Sequence, residues 1–382
     1  MMFYDANRRG SRIAARILIA LLIVAGGIGI AGRGQISSGE LADIRTVIES
    51  AKSTRATTAA SMDFAQGTMH ANDFQSAITS TRQAVADYDQ LAASASLTRF
   101  TSDSPFAQFV FTPRATLLGT VDRLNNAANT MQTQTAALID AMETSFANDF
   151  RTDGGHWMVQ VDDPASINEL VSRYGKQRSY QTLQEHLDDL KSLYNLEQRV
   201  RQQVADSIAA VHAGETNAAQ IAVPTEAGAM DAAGWLGTAQ SVASTLGVQV
   251  KQTSVYGCPG ADDNGDDNAD MVIGFFCGGS QAGRNEVNML TTHPEWPAVE
   301  RSPLLVDYTK HELAHRSIMI VCGTTEPEIA ANRTEAVTNS YAVQFLGASR
   351  ERIAGSQQGL AAYAMDAQSD QIAQSIHNGT CA

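Results

Sequence analysis

Tyr308-Thr309-Lys310-His311-Glu312-Leu313-Ala314-His315 carries two histidines four residues apart. On a helix they share one face, one turn from each other. Both imidazoles then reach a single metal ion, at about 2.0–2.1 Å each for zinc. Glu312 directly follows the first histidine and can face the same site. There it can take the proton from water on the metal, whose pKa zinc lowers to about 7. The competing reading is an amphipathic helix with two surface histidines. The flanks oppose it. Leu304, Leu305 and Val306 precede the motif, and Ile318, Met319, Ile320 and Val321 follow it. That is the pattern of a buried helix, where an unpaired polar group is costly.

A catalytic zinc keeps three protein ligands and one open position, so a third ligand is expected downstream. The motif helix can stop at Gly323, and Thr324 to Pro327 then turns the chain. A second helix follows, from Asn332 through Tyr341. On it Glu335, Asn339, Ala342 and Leu346 share a face. Glu335 is the expected ligand. Asn339, one turn on, is placed to take the free imidazole N–H of a ligand histidine and so orient it. Asn332-x-x-Glu335 is also a capping-box pattern, which leaves a cap as the alternative role for Glu335. Glu326 and Glu328, beside Pro327, are the other acids in reach.

His311-Glu312-x-x-His315, then Glu335 20 positions on and a polar side chain four later, resembles the gluzincin metallopeptidases, whose thermolysin-like branch shows this spacing. The resemblance spans about residues 305–346. It implies His311, His315 and Glu335 as zinc ligands, Glu312 as general base, and peptide hydrolysis. Arg316 departs from the pattern, since zincins usually carry an uncharged residue there. Asn339 stands where the thermolysin-like pattern has Asp. The metzincin extension is absent. The resemblance also gives Met271–Phe276 the part of the zincin edge strand, which pairs with an extended substrate. A donor to the developing oxyanion is needed, and Tyr341, Tyr308, Arg333 and His293 are the candidates.

The 382 residues suffice for two domains, and the net charge of −14 argues against nucleic acid as a partner. Basic residues cluster only at the N-terminus. Arg8, Arg9, Arg12 and Arg16 precede an apolar run from Ile17 to Ala31, closed by Arg33. The run reads as a single-pass anchor with the basic flank cytoplasmic and the bulk of the chain outside. A signal peptide cleaved near Gly29-Ile30-Ala31 is the competing reading, and it would make the protein secreted. Either route exports the chain, so Cys258, Cys277, Cys322 and Cys381 read as disulfides. Cys258 with Cys277 would close a local loop. Cys322 with Cys381 would tie the C-terminus to the end of the motif helix.

Between anchor and motif the apolar pattern is helical. Leu41, Ile44, Val47 and Ile48 mark a first helix, and Phe74, Ile78, Val85, Tyr88 and Leu91 a second. Pro105 and Pro113 interrupt, with Phe106, Phe109 and Phe111 between them. Leu117, Val121, Leu124, Ala128, Met131, Thr135, Leu138 and Met142 then form a heptad seam. Its readings are a helix of an intramolecular bundle or a coiled coil with another chain. Asp149 to Pro164, with Gly154 and Gly155, reads as a break, and Trp157 in it as a packing plug. Helix resumes over 166–211. His186 and His212 read as isolated surface residues. Ala213 to Gly228 reads as a boundary. Val248–Tyr256 and Met271–Cys277 read as strands. The acidic stretch 262–270 places oxygen donors at alternate positions, but its glycine is out of EF-hand register. A solvated acidic turn is expected there, with calcium as the minor alternative.

The expected class is therefore mostly α. Residues 1–12 form a cytoplasmic tail and 13–33 the transmembrane anchor or signal peptide. Residues 34–220 form an extracytoplasmic helical bundle or stalk, and 221–382 a small α+β zincin-like domain. The expected function is that of a membrane-anchored, extracytoplasmic peptidase holding one catalytic zinc and acting on peptide or protein substrates. The alternative is a non-catalytic cell-envelope protein that uses the zincin-like domain to bind a partner.

Overall fold

A computed structural model of the chain describes residues 38–94, 114–161, 163–176, 178–224, 234–258, 272–278 and 283–382. The described chain is mostly helical with one small sheet, and it divides into two compact units. The anchor or signal segment at 13–33, Phe106 and its neighbours, and the acidic stretch 262–270 lie outside the described residues. Among the described residues no helix is long and apolar enough to cross a membrane.

The first unit takes Met1–Asn148 and Gln177–Tyr194. Its helices are α1 (Ser38–Gly67), α2 (Gln75–Ser94) and the first part of α3 (Arg114–Gln160). Ile44, Ile48, Ala84, Tyr88, Val121, Leu124, Ala128 and Met131 form one buried cluster. The heptad seam of α3 is thus covered by this chain's own helices. The weak seam position Thr135 is fully buried, and its hydroxyl lies 2.8 Å from that of Thr58.

The second unit takes Asp149–Lys176 and Asn195–Ala382. It contains the end of α3, α4 (Ala165–Gly175) and α5 (Leu183–Gln220) from Asn195 on, the start of α5 belonging to the first unit. Then come α6 (Gly234–Thr245), β1 (Gln249–Thr253), β2 (Gly274–Phe276), β3 (Glu286–Leu290) and the single turn α7 (Trp296–Val299). The motif helix α8 (Leu304–Cys322), α9 (Thr334–Phe345), α10 (Arg350–Ser356) and α11 (Ala367–His377) complete it. The sheet order is β1-β3-β2. β1 runs parallel to β3, with Val250 opposite Val287, and β2 is antiparallel to it, with Gly274 opposite Met289. Among the described residues β3 is the only strand paired with β2, so β2 is an edge.

Helix α8 is buried almost from end to end and packs against β2, β3, α6, α9, α10 and α11. It ends where the sequence says it should. Gly323 adopts φ 72°, and its N–H bonds Met319 O at 2.7 Å, the left-handed C-terminal stop. A Cβ at Gly323 would run into His156, with the ring Cγ 2.7 Å away. Gly323→Ala combines that clash with a left-handed backbone costing about 1–2 kcal/mol. Chemical denaturation should show a loss of at least that size, with the m-value unchanged. Two disulfides, Cys258–Cys277 and Cys322–Cys381, pair as expected.

Several expectations need correction. Residues 149–160 are not a break, because α3 runs through Gly154 and Gly155 to Gln160. Each glycine costs about 1 kcal/mol in a helix interior, and packing outweighs it. Trp157 is buried under the Arg201 guanidinium, and Gln160 bonds the carbonyls of Ile320 and Val321. The helix expected over 166–211 is two, α4 and α5. α5 continues to Gln220, across the stretch read as a boundary, because Val211 and Ala218 are buried in the second unit's core. The two compact units divide within α3, between α4 and α5, and within α5. His186 is not a surface residue. It is buried, with Nε2 3.0 Å from Glu143.

Candidate metal centre

The chemistry-bearing residues come from two contacting helices of one compact unit, the middle of α8 and the first turns of α9. Their spacing does the placing. On α9, Thr338 and Asn339 lie three and four residues after Glu335, so all three share the face turned to the histidines. His311 and His315 present edge-on rings with centroids 4.8 Å apart. Both aim Nε2 at the same carboxylate oxygen, Glu335 Oε2, at 3.1 and 3.5 Å. His311, His315 and Glu335 form one of the groups whose ligand atoms all lie within 4.8 Å of one another. Glu326 and Glu328 are not in it. Glu335 sits inside the first turn of α9, which has no side-chain cap, and it faces the histidines.

The other ring nitrogens are held from behind. His311 Nδ1 lies 2.7 Å from Asn339 Oδ1. The Asn339 amide nitrogen donates to Gln357 Oε1 at 2.7 Å and to the Tyr363 carbonyl at 2.9 Å. Both of its N–H groups are used, so its oxygen must face His311, and Nδ1 must carry the proton. Nε2 is thereby the nitrogen turned into the site, and its lone pair faces there once its own proton is displaced. Here an asparagine does the orienting that a carboxylate would otherwise do. His315 Nδ1 lies 3.4 Å from Thr338 Oγ1, whose own proton goes to Thr334 O. Removing the Asn339 support by Asn339→Ala should weaken zinc binding about 10–100-fold. Competition against a chromogenic chelator would measure it.

Electrostatics tie the three together. Burial disfavours a charged His311, but the hydrogen bond it donates to Glu335, with Glu312 and Asn339 adding to it, raises its pKa to about 9. Burial pushes Glu335 up, yet its bonds to both histidines hold it well below the usual carboxylate range. The carboxylate between the two imidazoles favours positive charge at this place. A donor set of two imidazoles and one carboxylate suits zinc.

Glu312 is buried beside this group, 6% exposed. Burial raises its pKa, against the pull of the two histidines and a hydrogen bond from the Phe276 backbone. It is thus a stronger base than a free carboxylate. Strand β2 approaches closely at Gly274. A Cβ there would meet the Glu312 Cγ at 3.3 Å and Met289 Sδ at 3.3 Å.

The expected oxyanion donors separate clearly. Tyr341 is elsewhere: it is fully buried, and its hydroxyl donates to Glu215 at 2.8 Å. Arg333 is engaged by Gln368 and Asp366, at 2.7 Å each. His293 Nδ1 accepts from the Glu295 N–H at 3.2 Å, holding its own turn. Tyr308 is one turn before Glu312 on α8, and burial raises its pKa. Tyr363, which the sequence did not single out, lies with its ring centroid 6.1 Å from that of His311. Burial first, then the charges of Glu335 and Glu312, raises its pKa, so its hydroxyl keeps its proton. Arg316 points away from the centre, donating through Nε to the Arg284 carbonyl at 2.9 Å. The departure from the zincin pattern is therefore a brace for the segment leading into β3.

Comparison of the chain with protein-family models, with curated proteins and with solved structures finds no match.

Proposed function

We propose that the second unit is a zinc-dependent peptidase of gluzincin type. One observation carries the reading: His311 and His315 converge on Glu335 Oε2 while Glu312 lies buried beside them. His311, His315 and Glu335 would hold the ion. When bound, zinc polarises a scissile carbonyl and makes water acidic near neutral pH.

The chain's own residues supply the rest. Glu312 takes up the water proton and hands it to the leaving amine, and its burial makes it the stronger base for that work. The edge of β2, open among the described residues, would offer backbone hydrogen bonds to an extended peptide, and Gly274 on it lies close to Glu312. Tyr363, whose ring lies beside that of His311, is our first choice of hydroxyl donor to the negative charge that develops on the carbonyl oxygen, and Tyr308 the second. Two disulfides favour an oxidising compartment, in keeping with export by the N-terminal segment as anchor or signal.

The test is chelation and rescue on a mixed peptide library. A strong chelator should abolish cleavage, and one equivalent of zinc should restore it. Zinc binding with no cleavage of any library member would favour a non-catalytic envelope protein instead.

A further inference from the structure

A second group of two histidines and one glutamate lies in the same unit, built from different elements. His212 and Glu215 are three residues apart on α5, hence neighbours on one face. His377 is the last residue of α11. The ligand atoms of His212, Glu215 and His377 all lie within 4.8 Å of one another. The reading of His212 as an isolated surface residue is thereby corrected.

The group is built rather than incidental. Glu215 is 1% exposed, and Tyr341 donates to its Oε1 at 2.8 Å. Its other oxygen, Oε2, is buried without a hydrogen bond, 3.3 Å from His377 Nδ1, and that nitrogen also lies 3.1 Å from the Tyr341 hydroxyl. His212 Nε2 is also buried without a hydrogen bond. The His377 ring is fixed face to face against Phe345, centroids 3.8 Å apart, and lies 4.0 Å from the His212 ring. Leaving a buried carboxylate oxygen and a buried imidazole nitrogen unsatisfied is costly. A cation between them would satisfy both.

A third such group makes the contrast. Asp140, Glu143 and His186 in the first unit also lie close together. There Arg178 already faces Glu143 at 3.3 Å, and His186 Nε2 bonds Glu143 at 3.0 Å. That group has its positive charge. Among the described residues the Glu215 group has no Lys or Arg partner, and the ion pair of Glu215 is with the group's own His377.

We propose that His212, Glu215 and His377 form a second metal site, taking a divalent transition ion of the zinc class. Its role is structural. It staples the C-terminal helix α11 to α5, and Tyr341 on α9 orients the carboxylate. Ligand atoms around a tetrahedral ion sit about 3–3.5 Å apart, so loading draws the three groups together. The proposal does not rest on the reading of His311, His315 and Glu335.

The test counts metal on the full chain. The unaltered protein, His377→Ala, His212→Ala and His311→Ala are each dialysed against Zn²⁺ and measured by elemental analysis. His377→Ala and His212→Ala should each hold one ion fewer than the unaltered chain. His311→Ala reports separately on the first centre, so failure there leaves this count readable. Glu215→Gln keeps the shape and the Tyr341 bond while removing the charge, and covers the case in which an alanine variant misfolds. With Co²⁺ as probe in the His311→Ala background, Glu215→Gln should weaken the visible d–d band at least tenfold in apparent affinity. An unchanged zinc count in both histidine variants, or an unchanged Co²⁺ titration in Glu215→Gln, overturns the proposal.

Discussion

Glu312→Gln should lower peptide hydrolysis on the order of 10²–10⁴-fold and leave the zinc content unchanged. The substitution preserves shape. The amide oxygen can still accept from the Phe276 backbone, and His311, His315 and Glu335 are untouched. What the side chain loses is the capacity to hold a proton. Turnover on the peptide library and zinc per chain, measured on the same preparation, check the two halves. Hydrolysis at the unaltered rate would rule Glu312 out as the base. Loss of zinc along with activity would make it a ligand or a structural support instead.

Arg352→Ala should destabilise the second unit by about 3 kcal/mol, as breaking a buried ion pair from one side does. Asp307 is fully buried in the first turn of α8. Its carboxylate accepts from Arg352 through Nε and Nη2 and from the Ser349 N–H at 2.9 Å. Without the guanidinium one donor remains for a charge that cannot reach water. Urea denaturation should show a lower midpoint at unchanged slope. Adding Asp307→Asn should recover part of the loss, because the stranded charge is then gone. A loss below about 0.5 kcal/mol, the range of an ordinary surface substitution, would mean that solvent reaches Asp307. The pair matters to the site because it fixes the start of α8 against α10, whose neighbour Gln357 helps hold Asn339.

The sequence disclosed the parts of this centre that repeat with the helix. His311 and His315 one turn apart, and Glu335 with Asn339 one turn apart, follow from a period of 3.6. The same arithmetic explains the failure at Tyr341. Six residues past Glu335 it is turned by about 240° around α9, so it faces the core and Glu215 instead. Tyr363 and Gln357 had no such signal. They belong to a short turn and a helix end whose positions depend on tertiary packing alone. His212 and His377 were missed for that reason too, being far apart in the chain.

The fold shows the same division. The amphipathic helices of the first unit and the arrest of α8 at Gly323 could be read from pattern and turn chemistry. The central strand β3 was overlooked. Val287 and Met289 alternate with Glu286 and Asn288 as a strand should, but over five residues only. The glycines of 154–155 suggested a break because local propensity was weighed without the packing of Trp157 and Gln160 that overrides it.

The most direct test of the central claim is zinc-edge anomalous diffraction from crystals of the zinc-loaded protein. The account predicts a peak with His311 Nε2, His315 Nε2 and a Glu335 carboxylate oxygen each within about 2.0–2.2 Å, and Glu312 beside it but unbound. Absence of a peak there, or a peak from which the Glu335 carboxylate has turned away, would contradict it.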